Sequence, residues 1–474
     1  MNYVLFFPDE LRAETLSVYG NTQIRTPAYE RLAAEGVTFE QCHVQNPVCS
    51  PSRCSLFTGQ YVHSNGHRSL WNLLKPWEHN LLRYLKDSGY EVRVYGKNDL
   101  FSKEAAALST DVFTHLGGYG HANMPEPVHP LKENSCNDFL FHPMGGDYKE
   151  HNDYLNLKAG MDFIKSRKKG DKPFVLFLPL VLPHCPYTVQ EPYYSMYSED
   201  EIMPLRPWGT GKPAYHDLIR RYRNLERSNL KKIQAVYMGM VSLTDTFLGE
   251  LMDCIEEAGI WDETMLFATA DHGDYAGDYG LVEKWPSGCE DVVTRVPLLI
   301  SSPACKAGSR VKEQVELFDI MATIMDDAGI EARHTMYAQS LLPQLRGGGG
   351  DPDRPVFCEG GYNLNEPHCN EGQIRESTKV LNAPGHIYYP KCAQQREHPE
   401  STGRASMIRT LKRKLVLRSY GDNELYDLEK DPEELCNLYG RKDYAEDQGD
   451  LEKRMLNWYI ATSDAVPVEE DPRF

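Results

Sequence analysis

Long apolar stretches are missing from this chain of 474 residues, and so is any excess of positive charge. No run approaches the ~20 consecutive apolar residues of a membrane-spanning helix, so no bilayer span is expected. Lysine and arginine number 51 against 69 acidic residues, a formal charge of −18. That balance excludes nucleic acid as a general partner, because no basic surplus is left to face phosphates. The 12 cysteines lack the dense, even spacing of a small disulfide framework, so most are expected as free thiols. The set Cys358, His368, Cys369, Cys392 and His398 fits no closed zinc spacing. Internal repeats and low-complexity tracts are absent too. With Met1 as the natural start, Asn2 to Phe7 already reads as core strand, so no secretory leader and a cytoplasmic protein are expected.

What is present is an alternation of strand-like and helix-like segments. Val4 to Phe7, Glu91 to Tyr95, Phe174 to Leu182 and Thr264 to Ala270 read as strands. Thr26 to Gly36, Leu81 to Gly89 and Leu230 to Gly259 read as helices, the first with a Pro near its start and a Gly stop. The expected fold is therefore α/β, a large, mostly parallel sheet sandwiched by helices. A glycine run at 347–350 is the candidate linker. Beyond it Leu411 to Leu417 alternates, and a last helix lies near Leu451 to Ile460. The expected division is a catalytic α/β domain at 1–346 and a smaller C-terminal α+β subdomain with an antiparallel sheet at 351–474. The basic runs Lys165 to Lys169 and Arg220 to Arg223 read as solvated helix faces.

Polar residues gather where those strands end. Asp9-Glu10 follows the first strand, Lys97 and Asp99 the second, His184 the third, and Asp271-His272 the fourth. Open α/β sheets build their sites beyond the carboxyl ends of strands, so four such endings point to one functional cleft. Asp9, Glu10 and Asp271 are hard oxygen ligands, suited to calcium, with magnesium or manganese as alternatives, and His272 adds a nitrogen. One more segment stands out, Cys49-Ser50-Pro51-Ser52-Arg53. Ser50 reads as an N-cap and Pro51 suits a first helical turn. Cys49 is thereby placed at a helix N-terminus that favours anions, with Arg53 offering a fork of donors one turn on.

Cysteine, proline two residues on and arginine four on form the pattern that is oxidised to formylglycine in type I sulfatases, and the chain resembles that family of the alkaline phosphatase superfamily almost end to end. The resemblance rests on Asp9 to Arg12, Cys49 to Arg53, Gly96-Lys97, Pro183 to Pro186, Asp271 to Gly273, Glu283-Lys284 and the closing Leu425 to Pro432. It implies that a maturation enzyme converts Cys49 to formylglycine, whose hydrate is the nucleophile. It further implies that Asp9, Glu10, Asp271 and His272, with residue 49, hold the metal. Arg53, Lys97 and Lys284 would neutralise the group being transferred, and His184, with Lys284, would protonate the leaving oxygen.

Two positions depart from the family pattern. Glu10 stands where many relatives have a second aspartate, and Asp99 where many have a histidine; His63 or His67 is the candidate replacement for that imidazole. For the substrate, loops at 113–147 and 358–368 supply His121, Asn123, Tyr362 and His368 as candidates to grip sugar hydroxyls. The resemblance implies release of sulfate from a sulfated carbohydrate, a glycosaminoglycan fragment among the options. The alternatives are a phosphonate or phosphate ester hydrolase of the same superfamily, and a non-catalytic glycan-binding protein with unmodified Cys49.

Overall fold

A computed structural model describes every residue except 118–123, 133–134, 210, 469, 471 and 474. Eight strands form the large sheet: β1 (Asn2–Phe7), β2 (Val37–His43), β3 (Glu91–Tyr95), β4 (Val112–Thr114), β5 (Phe174–Pro179), β6 (Thr264–Thr269), β7 (Arg295–Ser301) and β8 (Ser309–Glu316). Their spatial order is β4-β3-β5-β1-β6-β7-β2-β8, and β7 alone runs against the rest. The central strands β1, β5 and β6 are buried along their whole length, which is why they read as unbroken apolar runs.

Side-chain alternation on β5 shows both faces covered. Leu176 and Leu178 approach Gly160 in the helix Asn152–Lys165. Phe177 points the other way and meets Phe57 of the helix Cys49–Thr58 at 5.0 Å. The helix Leu230–Glu257 packs over Pro27–Glu35 and Asn152–Lys165. Among the described residues no helix is long and apolar enough to cross a membrane.

Strands β2, β7 and β8 were not legible as apolar runs. The edge strand β8 is polar apart from Val311 and Val315, and β2 carries Glu40-Gln41 within it. The apolar stretch of β7 is interrupted by Pro297, which lies where the β2 register shifts between Phe39 and Cys42; a proline is tolerated at such an irregularity.

A second, antiparallel sheet has the order β12-β11-β10-β9, from β9 (Val356–Gly360), β10 (Ala405–Arg409), β11 (Arg413–Arg418) and β12 (Glu424–Asp427). The helix Ala445–Thr462 covers it, with Trp458 stacked on Phe357 at 4.4 Å. A buried ion cluster joins this sheet to the first part of the chain: Asp291 receives Arg409 at 2.9 Å and Lys414 at 2.7 Å. Glu359 of β9 donates its N–H to Gln45 and accepts from Asn46, so the second sheet steadies the loop that leads into Cys49.

One buried acid gives the fold a pH signature. Asp245 in the long helix accepts the Tyr29 N–H at 3.0 Å, yet burial pushes its carboxyl up to about 7. Its unfolded value is about 3.9, so the folded state binds the extra proton and stability falls as pH rises from about 4 to 7. The cost above that window is at most about 4 kcal/mol. Asp245→Asn keeps the acceptor without the charge. It is expected to raise Tm by about 1–4 °C at pH 8, less at pH 5 and not at all near pH 4. Calorimetric melting at the three pH values checks this; an equal shift at all three would refute it.

Candidate active site

The carboxyl ends of β3, β5, β1 and β6, adjacent in that order, bring the expected residues to one place. Two backbone bonds lock the edge: Asp9 N–H donates to Leu182 O at 3.1 Å, and Lys97 N–H to Pro179 O at 2.7 Å. Gly96 makes the second possible. Its φ is +137°, and a Cβ there would stand 2.1 Å from the Pro179 carbonyl oxygen.

The helix carrying Cys49 begins at that residue, with Val48 in the N-cap position. Ser50 is therefore not the cap; it sits inside the first turn, and Asn46 orients the entry by accepting the Val48 N–H at 2.9 Å. Cys49 Sγ lies 3.1 Å from His272 Nε2, 3.5 Å from Asp9 Oδ1 and 3.9 Å from Lys97 Nζ. Burial, with Asp9 adding to it, pushes the thiol well above its ordinary pKa.

Asp9, Cys49, Asp271 and His272 are all buried, and one ligand atom from each lies within 4.8 Å of the others. His272 Nδ1 pairs with the Gly273 carbonyl at 2.8 Å, and a proton on Nδ1 leaves the Nε2 lone pair facing the cluster. Asp271 Oδ1 accepts the N–H groups of Glu10 and His272 at 3.2 and 3.0 Å, which fixes its orientation. Two fixed carboxylates and an aimed imidazole fit a divalent cation.

Arg53 corrects an expectation. It is fully buried and does not face the cleft: Nε donates to Asp271 Oδ2 and Nη2 to Asp9 Oδ2, each at 2.8 Å. Its fork aligns the two carboxylates instead of gripping the substrate. For Asp9, burial favours the neutral acid, but Lys97 and Arg53 outweigh it and hold the carboxyl well below its ordinary range.

Glu10 also stands apart from the four clustered residues. Its carboxylate pairs with Lys284, lies 3.5 Å from His184 Nε2 and accepts the Cys185 N–H at 3.4 Å. Burial pushes it well up despite Lys284, with Asp274 adding to that. Both Glu10 and Glu283 hold left-handed backbone, φ +65° and +66°, a strain of about 1–3 kcal/mol that persists where surroundings enforce it. The enforcers are visible. Tyr237 donates to the Glu10 carbonyl at 2.5 Å, and Glu283 is clamped by Arg223 at 3.0 Å and Lys391 at 2.8 Å. Arg223 is thus buried and structural, unlike the solvated face read from its run.

Lys284 Nζ also donates to His184 Nε2 at 2.7 Å, while His184 Nδ1 contacts the Cys185 carbonyl. Burial, then Lys284 and Lys97, push His184 well below its ordinary pKa and keep it neutral. Lys97 is held by Asp9 at 2.7 Å and Asp99 at 2.9 Å, so Asp99 orients the lysine rather than residue 49.

The remaining candidates lie elsewhere. His63 is pinned between Glu359 at 2.6 Å and Thr462 at 2.8 Å, and His67 binds Glu78 and the Asn72 carbonyl; neither replaces an imidazole beside Cys49, where His272 already sits. Tyr362 is buried beside Gly403 and His368 is exposed with φ +57°; neither lines the cleft. His121 and Asn123 lie outside the described residues. The cleft itself measures about 870 Å³ and opens onto Cys49, Lys97, Asp99, His184 and Lys284. It is also lined by Gly117, Met124 and Met144 and, beyond the expected loops, by Glu371, Leu381 and Tyr388. Asp274, held by Tyr187 at 2.7 Å, was missed although it lies two residues beyond His272.

A family model described as sulfatase matches residues 1–330. The chain is 25% identical to an arylsulfatase of Clostridium perfringens, covering 94% of this chain and 91% of the relative. It is 24% identical to an N-acetylglucosamine-6-O-sulfatase of Bacteroides thetaiotaomicron, covering 99% and 88%. The solved phosphonate monoester hydrolase of Agrobacterium radiobacter superposes with a TM-score of 0.79 at 21% identity, covering 99% of this chain and 100% of that one, a likeness of fold. With the family model spanning well over half its length, the chain belongs to the sulfatase family of the alkaline phosphatase superfamily, a family of hydrolases.

Proposed function

We propose that the protein releases sulfate from a sulfated carbohydrate, with a nucleophile derived from Cys49 by a formylglycine-generating enzyme. The observation that carries this reading is Cys49 buried against Asp9 and His272, with Lys97 beside it, at the inner end of a cleft. Asp9, Asp271, His272 and residue 49 would hold a divalent cation, calcium first because carboxylate oxygens dominate, with magnesium or manganese as alternatives. The cation would supply Lewis acidity and the formylglycine hydrate the attacking hydroxyl.

The chain's own groups do the rest. Lys97 and Lys284 place positive charge on the cleft wall for an anionic ester. Asp99 and Asp9 hold Lys97 in place, and Glu10 does the same for Lys284. The Lys284 Nζ–H to His184 Nε2 hydrogen bond keeps a proton at the cleft surface for a leaving alkoxide. Arg53 faces no substrate and fixes the separation of Asp9 and Asp271.

Turnover of 4-nitrophenyl sulfate and 4-nitrophenyl phenylphosphonate by protein co-expressed with a formylglycine-generating enzyme tests the reading. The expected result is at least about a tenfold preference for the sulfate in kcat/KM, or ~1.4 kcal/mol. A preference for the phosphonate would establish the ester hydrolase alternative. A persistent thiol at Cys49 by peptide mass, with no metal bound, would leave only glycan binding.

A further inference from the structure

We infer that His129, Cys136 and Asp138 form a second metal site, outside the cleft, for a borderline divalent cation, zinc first. This holds whether or not the protein is a sulfatase. None of the three residues lines the cleft, and one ligand atom from each lies within 4.8 Å of the others. The donors are an imidazole nitrogen, a thiol sulfur and a carboxylate oxygen. That mixed set suits zinc and serves calcium poorly, since calcium takes oxygen ligands.

Two features point to a cation rather than to hydrogen bonding alone. His129 Nδ1 is shut off from solvent and lies 3.1 Å from Asp138 Oδ2, yet it has no hydrogen-bond partner among the described residues. The distance permits such a bond, so its direction is what fails. With the ring proton on Nε2, the Nδ1 lone pair would be satisfied by a cation held between the two groups. Charge balances as well. A Cys136 thiolate and the Asp138 carboxylate carry two negative charges, which a divalent ion cancels where both residues are buried, at 3% and 2% exposure. The thiol proton passes to solvent on binding. His129, with its side chain 31% exposed, marks the route in.

The carboxylate is already oriented for the task. Asp138 Oδ1 accepts the Leu140 N–H at 3.1 Å and Oδ2 accepts the Ser228 hydroxyl at 2.6 Å, the kind of outer support that metal-binding carboxylates carry. The next residue, Phe139, holds left-handed backbone at φ +61°, and its ring meets that of Tyr388, which lines the cleft, at 5.2 Å. Strained backbone persists where its surroundings enforce it. A metal on Asp138 would brace this turn and, through Phe139, the wall of the cleft.

The test titrates cobalt(II), a spectroscopic stand-in for zinc, into chelator-treated full-length Cys49→Ala in excess calcium. That variant has no thiol at the cleft cluster, so a thiolate-to-cobalt charge-transfer band reports sulfur ligation elsewhere. The band is expected to appear, to be displaced by zinc, and to vanish in the double variant that adds Cys136→Ser. Adding His129→Ala instead removes a partly exposed side chain, which the fold should tolerate. It is expected to raise the cobalt concentration at half-maximal band, and the zinc needed to displace it, in opposite directions by at least tenfold each way: cobalt binds more weakly, and less competition is needed to strip it. No thiolate band, or a band that persists with Cys136→Ser, would overturn the site. A cobalt half-saturation unchanged by His129→Ala would do the same, leaving the three residues as a hydrogen-bonded cluster only.

Discussion

Cys49→Ala in matured protein is expected to lower kcat/KM for 4-nitrophenyl sulfate at least about a thousandfold, ~4 kcal/mol of transition-state stabilisation. The size follows from covalent catalysis, since with the reacting atom gone the lysines and acids around it can still bind but have nothing to deliver. Cys49 is 1% exposed, and its Sγ lies 3.1 Å from His272 Nε2 and 3.5 Å from Asp9 Oδ1. The cavity is small, and a cost in stability of only about 1–2 kcal/mol is expected. Activity and melting temperature measured on one preparation separate the two effects. Activity retained in the alanine variant would remove Cys49 from the chemistry.

Arg53→Met should give the largest loss of stability of any single change at the site. The variant keeps length and apolar contact with Phe7, where the guanidinium lies 5.4 Å from the ring centre, but leaves Asp9 and Asp271 buried without their shared cation. Breaking one side of a buried pair costs about 3–5 kcal/mol. Added calcium should recover part of the loss, because a bound divalent cation neutralises the same carboxylates. Arg53→Lys should fall well short of wild type, since one ammonium cannot reproduce the two 2.8 Å bonds made by separate nitrogens. Thermal melts in calcium and in chelator measure both effects; equal stability of wild type and Arg53→Met in chelator would refute the role.

Arg53 also shows how far a motif can be read. Its spacing from Cys49 is a property of the chain, and one helical turn does bring the two residues to one side. The direction of its fork depends on Asp9 and Asp271, which lie 44 and 218 residues away and arrive only when β1 and β6 pair. The same holds for Glu10, whose sequence position beside Asp9 suggested a shared ligand set. A left-handed backbone turns it toward Lys284 instead. His63 looked available because nothing local occupies it; Glu359, almost 300 residues on, takes it.

By itself the sequence determined the alternation of buried strands and helices, the four polar strand endings and the position of Cys49 at a helix start. These depend on local patterning of apolar residues and on the rule that α/β sites lie beyond strand ends. Only the tertiary structure decided which of the gathered charges face the cleft and which face each other. That choice is made by distance and burial: a buried carboxylate must find a cation or donors, and which one is near enough is known only after strands distant in sequence have been laid side by side.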